Sequence, residues 1–573
     1  MSDATLYQKL RWHAGRTKRW LRRKAYERSV GKQYRMWLAQ SAKATPGSVN
    51  NTNTIAVIVP VYNPPIDFLR ECLDSVVDQS ARNWQLVVSD DGSTTPEVTN
   101  YLTQFTHIHK DDPRVIVIRG ENGGISAAQN RALEKVTTEY FGWLDHDDRL
   151  NPTAFQVFSE TIDNNPGAQI IYSDEDKIDT KGKHFELYCK PDFSPELLLT
   201  QMYLCHFTVF NTELVRKQNG FRSEMDGAQD FDLALRLLPN LTSVVHVPLP
   251  LYHWRSWAES TAQSIDAKPW AQQAGARAQS AYIEKNYGGG DVQPSHVKGL
   301  NRVHPKIAHP ANVSVIIPTI GTKDKKTGIP MVNQAIATLR AQESTTTFDI
   351  VVVTTGELAP IPGADQQVIY ATDQFNFAEA INLGRTAATG EYLLILNDDT
   401  TVAEPEPITR LLEIAQNPGV GITGAKLTYP DGRLQHVGMV MLPSGPTHPW
   451  IAKGGNEYGY FGATLTPRNY SAVTAAAFLV RTELFDQLGG FDIVFARDFN
   501  DVDFCLRMRD SGYRVAWTPY AHFTHHEGAS IIRKKSDPRE LSLFQQRWAT
   551  KYQVDPYYST ALKSDLERMY EAK

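Results

Sequence analysis

Cysteine is scarce in this chain and long apolar runs are missing. Among 573 residues there are 4 cysteines, at 72, 189, 205 and 505, and no two form a Cys-x-x-Cys pair. Such scatter excludes a disulfide scaffold and a cysteine-based zinc site, and it fits a reducing compartment. No stretch approaches the ~20 apolar residues needed to span a bilayer. The first residues lack the apolar core of a secretion signal, so a cytoplasmic location is expected. There is no Ser-His-Asp or Cys-His set for covalent catalysis. A glycine-rich, basic triphosphate loop is also missing, which argues against nucleotidyl transfer.

Acidic residues are nearly absent from one region only. Residues 1–45 hold twelve Lys/Arg (Lys9, Arg11, Arg16, Lys18, Arg19, Arg22, Arg23, Lys24, Arg28, Lys32, Arg35, Lys43) against Asp3 and Glu27. The segment is therefore +10 and, with −5 overall, the remainder is −15. Tyr26, Val30, Tyr34, Trp37 and Leu38 recur at helical spacing, with Trp12 and Trp20 among the cations. A basic helix with interfacial aromatics suits an anionic membrane surface. It equally suits packing on the acidic body or on a second copy of the chain. No nucleic-acid recognition motif accompanies the charge, so nucleic acid is not expected as a partner.

Length and a 41% hydrophobic content predict several packed domains. Ile55–Pro60, Trp84–Ser89 and Val115–Ile118 read as buried strands, and Phe68–Gln79 and Ala127–Val136 as helices. That alternation predicts an α/β fold with a mostly parallel, doubly wound sheet. The next strand, Tyr140-Phe-Gly-Trp-Leu, runs into Asp145, Asp147 and Asp148. Carboxylates crowded at a strand end repel one another unless a cation lies among them. Hard oxygen ligands suit Mg²⁺ or Mn²⁺, and ligands of open α/β sheets bind at this end of the strands. A capped, solvated turn leading into a helix at Pro152 is the other reading. Ile170–Asp176 is expected to be a further strand ending in acids, which either face the sugar or the acceptor or, as the favoured reading, form a solvated turn.

The segments Pro60-Val-Tyr-Asn63, Asp90-Asp-Gly-Ser93, Asn122-Gly-Gly-Ile-Ser126 and Leu144-Asp-His-Asp-Asp148 resemble, in order and spacing, family 2 glycosyltransferases of the GT-A fold. The resemblance implies a nucleotide-diphosphate sugar donor (UDP-, dTDP- or GDP-linked). Pro60, Tyr62, Asn63, Asp91, Asn122 and Gly123 would line its pocket. Asp145 would face the ribose or sugar, and Asp147 would ligate a divalent metal, Mn²⁺ or Mg²⁺. Asp230, in Gly227-Ala-Gln-Asp-Phe-Asp-Leu-Ala-Leu-Arg236, matches the catalytic base, with Asp232 supporting the fold. His253 would complete the metal shell, and Arg255 would meet the diphosphate.

The pattern then repeats. Val313–Pro318 echoes Ile55–Pro60, Glu391–Asp399 echoes Glu139–Asp147, and Asp501-Val-Asp-Phe-Cys-Leu-Arg507 echoes Asp230–Arg236. By the same resemblance Pro318 and Asn397 would touch a second donor, Asp399 and His525 would hold its metal, and Asp501 would be its base. One departure stands out: Thr354-Thr-Gly-Glu357 replaces Asp90-Asp-Gly-Ser93, removing the carboxylate expected to read the nucleoside. The second half is thus either active with altered recognition or a non-catalytic glycan-binding module. Leu427–His436 reads as a hairpin with an Asp-Gly turn.

The expected organisation is a basic helical segment (1–50), a GT-A domain (51–290), a linker (291–311), a second GT-A domain (312–535) and a helical tail (536–573). The expected activity is that of a bifunctional, metal-dependent, inverting glycosyltransferase, peripheral on the inner face of the cell membrane. It would extend a lipid-linked surface polysaccharide.

Overall fold

The computed structural model describes residues 54–257, 269–342, 346–356, 359–372, 374–526, 537–565 and 568–571. The basic segment, Ser260-Thr261 and Glu527 lie outside them.

Ile55–Val61 (β1) is buried at every position, because its neighbours cover both faces. Its alternate residues enter different cores. Ile55, Val57 and Val59 pack with Leu69, Leu73 and Val76 of the helix Ile66–Val77. Ala56 and Ile58 pack with Ala132 and Leu133 of the helix Ile125–Leu133 and with Leu233 and Leu237 of the helix Gln229–Leu237. Each buried Val, Leu or Ile among them contributes about 1.5–3 kcal/mol. This two-sided burial is why the strand reads as an unbroken apolar run.

The sheet continues with β2 (Trp84–Asp90), β3 (Val115–Arg119), β4 (Tyr140–Trp143), β5 (Arg149–Leu150), β6 (Ile170–Ile178), β7 (His184–Tyr188), β8 (Thr208–Asn211) and β9 (Val244–Arg255). Its order is β3-β2-β1-β4-β8-β6-β9-β5, with β7 beside β6. Strands β3, β2, β1 and β4 are parallel, and β8 enters antiparallel between β4 and β6. Acids 174–176 do not form the expected solvated turn. They lie inside β6 and are buried, because β7 and β9 flank it on both sides.

After the helix Pro269–Tyr287, residues 291–311 are not a plain linker: β10 (Gly290–Pro294) and β11 (Asn301–Pro305) form an antiparallel hairpin. The second sheet comprises β12 (Asn312–Thr319), β13 (Thr347–Thr355), β14 (Gln366–Tyr370), β15 (Tyr392–Leu396), β16 (Thr400–Val402), β17 (Val420–Thr428) and β18 (Leu434–His436). A small ribbon, β19 (Val440–Leu442) with β20 (Gly445–Thr447), intervenes. The sheet is completed by β21 (Arg468–Asn469), β22 (Ala477–Arg481) and β23 (Arg514–His525). Its order, β14-β13-β12-β15-β22-β17-β23-β16, repeats the first sheet strand for strand. Leu427 pairs with His436 across the expected Asp-Gly turn. The tail is only partly helical: Pro538–Trp548 is a helix, and the described residues beyond it form turns.

The two halves are joined by specific contacts. Tyr188 stacks on Phe461 at 3.8 Å, and Ser194 Oγ donates to Asn469 Oδ1 at 2.7 Å. The Tyr460 hydroxyl donates to Leu187 O and accepts from Cys189 N. Glu196, 3% exposed, pairs with Arg514, 28% exposed, at 2.9 Å. Removing the carboxylate leaves a largely buried guanidinium without its partner. Glu196→Ala should therefore cost about 2 kcal/mol, discounted for the solvent that reaches Arg514. Chemical denaturation checks this; an unchanged midpoint would show that the pair does not help hold the halves together.

Candidate active sites

Each sheet opens a cleft at the C-terminal ends of its first strands. In the first half the cleft, about 480 Å³, is lined by Pro60, Tyr62, Asn63, Asp91, Asn122, Gly124, Asp145 and Asp147, with Trp254 and Trp257. The structure thus gathers nearly all the residues expected to bind the donor. Several are already engaged. Asp91 accepts from Gly123 N at 3.1 Å, from Gly124 N at 2.9 Å and from Arg131 at 2.5 Å. The glycine amides thereby fix the loop to the end of β2. Gly124 has φ +89° and lies against Asp226; a Cβ there would approach the carboxylate to 2.2 Å. Asn63 Oδ1 accepts from Thr94 N and Thr95 N, anchoring the start of the helix Pro96–Ile108.

The three strand-end carboxylates separate. Asp148 turns inward, accepting from the Tyr252 hydroxyl at 2.5 Å and from Arg255 N at 2.6 Å. Burial, with Asp147 and Asp145 nearby, pushes its pKa well up. Asp147 Oδ2 accepts from Trp257 Nε1 at 2.6 Å. Asp145 Oδ2 lies 3.9 Å from His206 Nε2. Burial raises the pKa of Asp230, at the start of its helix; His206 opposes the shift and Asp145 adds to it.

Two expected site residues are elsewhere. His253 Nδ1 is 2.7 Å from Asp176 Oδ1, and His253 lines a different cavity from Asp145 and Asp147. Arg255 is fully buried, donating to Glu71 at 2.6 Å and to Asp147 O at 2.7 Å. The cause is register. Arg149 pairs with His253, as Thr400 pairs with His525. Asp148 corresponds to Thr400 in the repeat, so Trp254 stands where the second half has His525. The spacing agrees: 254 − 236 and 525 − 507 are both 18 residues from the arginine of the repeated motif. Counting from that motif, rather than taking the nearest histidine, identifies the position.

The second cleft, about 370 Å³, is lined by Pro318, Asn397, Asp398, Asp399 and Asp501, among others. His525 Nε2 is 2.9 Å from Asp399 Oδ1 and 3.3 Å from Asn397 Nδ2. Its Nδ1 is 2.8 Å from Gln435 Oε1, which fixes the ring with Nε2 toward Asp399. Asp501 Oδ2 accepts from Ala475 N at 3.1 Å, and burial raises its pKa. Thr354, at the end of β13, is buried and donates to Gly356 O at 3.3 Å. Sequence reasoning missed His206, Trp254, Trp257 and Gln435, which belong to no short motif.

The repeated Asp-x-Asp-apolar-x-Leu-Arg pattern has a structural basis in its second acid and its arginine. Asp232 pairs with Arg236, which also donates to Gln218 O and Gly220 O. Asp503 pairs with Arg507, which donates to Leu488 O and Gly490 O. Each pair ties the helix to the preceding turn and so positions the first acid.

Two open α/β sheets, each with an acidic strand-end cleft and a partly buried carboxylate at a helix start, define a tandem GT-A architecture. The sequence profile of glycosyl transferase family 2 matches residues 56–218 and again 314–489, and the chain belongs to that family. It is 35% identical to an uncharacterized protein of Sinorhizobium fredii over 94% of this chain and 60% of that protein. It is 32% identical to the O-antigen biosynthesis protein RfbC of Myxococcus xanthus over 89% of this chain and 40% of that protein. A hyaluronan synthase of Pasteurella multocida is 28% identical over 33% of this chain and 19% of its own length. The chain thus spans less than two thirds of the length of these relatives. Among solved structures, residues 1–349 of TarS from S. aureus align with TM-score 0.31 and 16% identity, over 41% of this chain and 72% of that one.

Burial pushes the Asp398 carboxyl to about 7, although Thr319 Oγ1 donates to it at 2.6 Å. Unfolded, the group ionises near its ordinary 3.8. Between these values the folded state holds the extra proton, so folding stability falls as pH rises through the window. Between pH 5 and pH 7, Asp398→Asn should remove up to about 3 kcal/mol of that loss, at about 1.4 kcal/mol per pH unit. Thermal melts at pH 5 and pH 7 without divalent metal test it; identical slopes for parent and variant would contradict it.

Proposed function

We propose that this chain is a bifunctional glycosyltransferase. It transfers sugars from nucleotide-diphosphate donors to a growing cell-surface polysaccharide, on an acceptor that is lipid-linked. The observation that carries the reading is the same cleft built twice, each lined by strand-end acids and accompanied by a partly buried carboxylate at a helix start, Asp501 in the second cleft and Asp230 close enough to Asp145 to feel its charge in the first half. The long alignment to a protein named for O-antigen biosynthesis supports the polysaccharide.

At each site an acceptor hydroxyl attacks the anomeric carbon from the face opposite the diphosphate. The glycosidic bond forms as the bond to the diphosphate oxygen breaks, which inverts the centre. Asp230 near Asp145 of the first cleft and Asp501 in the second take the hydroxyl proton. Burial raises the basicity of both above that of an exposed aspartate.

In the second cleft Asp399 and His525 fit a divalent cation. A hard carboxylate and an oriented imidazole suit Mn²⁺ or Mg²⁺. Such an ion, when bound, would neutralise charge on the departing diphosphate. The first cleft fits less well, since Trp254 occupies the histidine position and Trp257 donates to Asp147. Conversely, the second cleft lacks a counterpart of Asp91. That loss favours the rival reading, in which the second half only binds glycan. Among the described residues no helix is long and apolar enough to cross a membrane. Attachment to an anionic inner leaflet therefore rests on the basic segment 1–45.

The test supplies parent, Asp147→Ala and Asp399→Ala with UDP-, dTDP- and GDP-sugars, Mn²⁺ and a lipid-extract acceptor, with products read by mass. Each variant should lose about 10²-fold or more at its own site, so the two arrest growth after different sugars. A silent Asp399→Ala makes the second half a binding module. Full activity in Asp147→Ala refutes the first site.

A further inference from the structure

Outside both clefts, the first sheet places two imidazoles and a carboxylate together. Asp176 is on β6, His184 on β7 and His253 on β9; β6 pairs with both neighbours, so three adjacent strands deliver the groups to one place. Asp176 Oδ1 is 2.7 Å from His253 Nδ1, and Oδ2 is 2.9 Å from His184 Nδ1. One ligand atom from each residue lies within 4.8 Å of the other two. Asp176 and His253 are buried and His184 is partly exposed. Both histidines face a cavity of about 490 Å³ whose wall includes Glu71, Asp74 and Asp78.

We propose that Asp176, His184 and His253 form a binding site for a first-row divalent cation, of which Zn²⁺ is the best match, distinct from the donor clefts. Two imidazole nitrogens and a carboxylate are a donor set that such ions accept, with a remaining position open to the cavity. The acids of the cavity wall add negative potential along the approach. A cation would also supply the fixed positive charge that a buried carboxylate requires. Without metal, the two Nδ1 groups donate to Asp176 and keep the ligands at contact distance. On binding, each Nδ1 offers its lone pair and the ring proton resides on Nε2.

The cluster is not a property of the fold. In the second sheet, the pair corresponding to Asp176 and His253 is Thr428 and Thr524. It is also independent of the donor-site reading, because it uses none of the residues assigned there except His253, which the structure withdraws from that role.

Co²⁺ serves as the probe, added to the metal-free full chain carrying Asp147→Asn and Asp399→Asn, so that ions at the donor clefts do not contribute. Equilibrium dialysis and visible absorption should report one bound equivalent. Adding His184→Gln, a change at the most exposed ligand, should weaken binding by at least about tenfold. No bound Co²⁺ in the starting variant, or unchanged affinity after His184→Gln, overturns the proposal. Co²⁺-soaked crystals of the unsubstituted chain give a check that needs no mutation. An anomalous peak among Asp176, His184 and His253 supports the site, and peaks confined to the donor clefts refute it.

Discussion

The pleat of a single strand decides what reaches each donor cleft. Successive side chains of a strand point to opposite faces, so a shift of one residue moves a group from one site to another. In β9 this places Trp254 on the donor cleft and His253 beside Asp176. In β23 the position of Trp254 carries His525, which meets Asp399 at 2.9 Å. The pairing with β5 and β16 sets this register, and that pairing begins at the acidic loop itself. The chemistry of both clefts therefore depends on where a two- or three-residue strand aligns with the last long strand of its sheet.

The acidic loops show how charge is managed at a crowded strand end. Three carboxylates cannot all be ionised side by side without a large Coulomb penalty. In the first half one of them, Asp148, turns into the interior, where burial raises its pKa and Tyr252 and Arg255 N donate to it. In the second half Asp398 is shifted to about 7 while bonded to Thr319. Of the acidic-loop carboxylates, Asp145 and Asp147 line the first cleft, and Asp399 lines the second beside Asn397 and the proton-retaining Asp398. A repeated Asp-Asp pair is therefore partly a folding device, and counting its acids overstates the charge available to a ligand.

Much of the architecture could be read from the residues, because its signals are local. Apolar runs gave the buried strands, and the duplicated motif predicted the second sheet, which repeats the order of the first. What escaped was set by tertiary pairing. The acids at 174–176 look like a polar turn, yet β7 and β9 bury them within a continuous strand. Residues 291–311 carry the glycine and proline signature of a linker, yet they pair as a hairpin. Arg255 seemed free to meet phosphate, but Glu71, some 184 positions earlier, holds it at 2.6 Å. Asp91 lines its cleft as expected, while three donors already hold its carboxylate.

Comparing the halves turns the duplication into an argument about divergence. The first has a carboxylate at the end of β2 and carries Trp254 where the second has an imidazole on its last strand. The second has that imidazole, braced by Gln435, and lacks the carboxylate. The parts common to both are those that the fold itself needs: the acid-arginine pairs Asp232–Arg236 and Asp503–Arg507, which fix each helix to its preceding turn. Those pairs hold Asp230 and Asp501 in equivalent places whatever the surrounding cleft contains. The helix-start aspartate is thus the most constrained element of each half, and the groups at the strand ends of the clefts are the ones that differ. On the proposed reading, two sites that differ in this way would take different donors, and the second half supports that reading by holding a partly buried helix-start aspartate together with an oriented histidine.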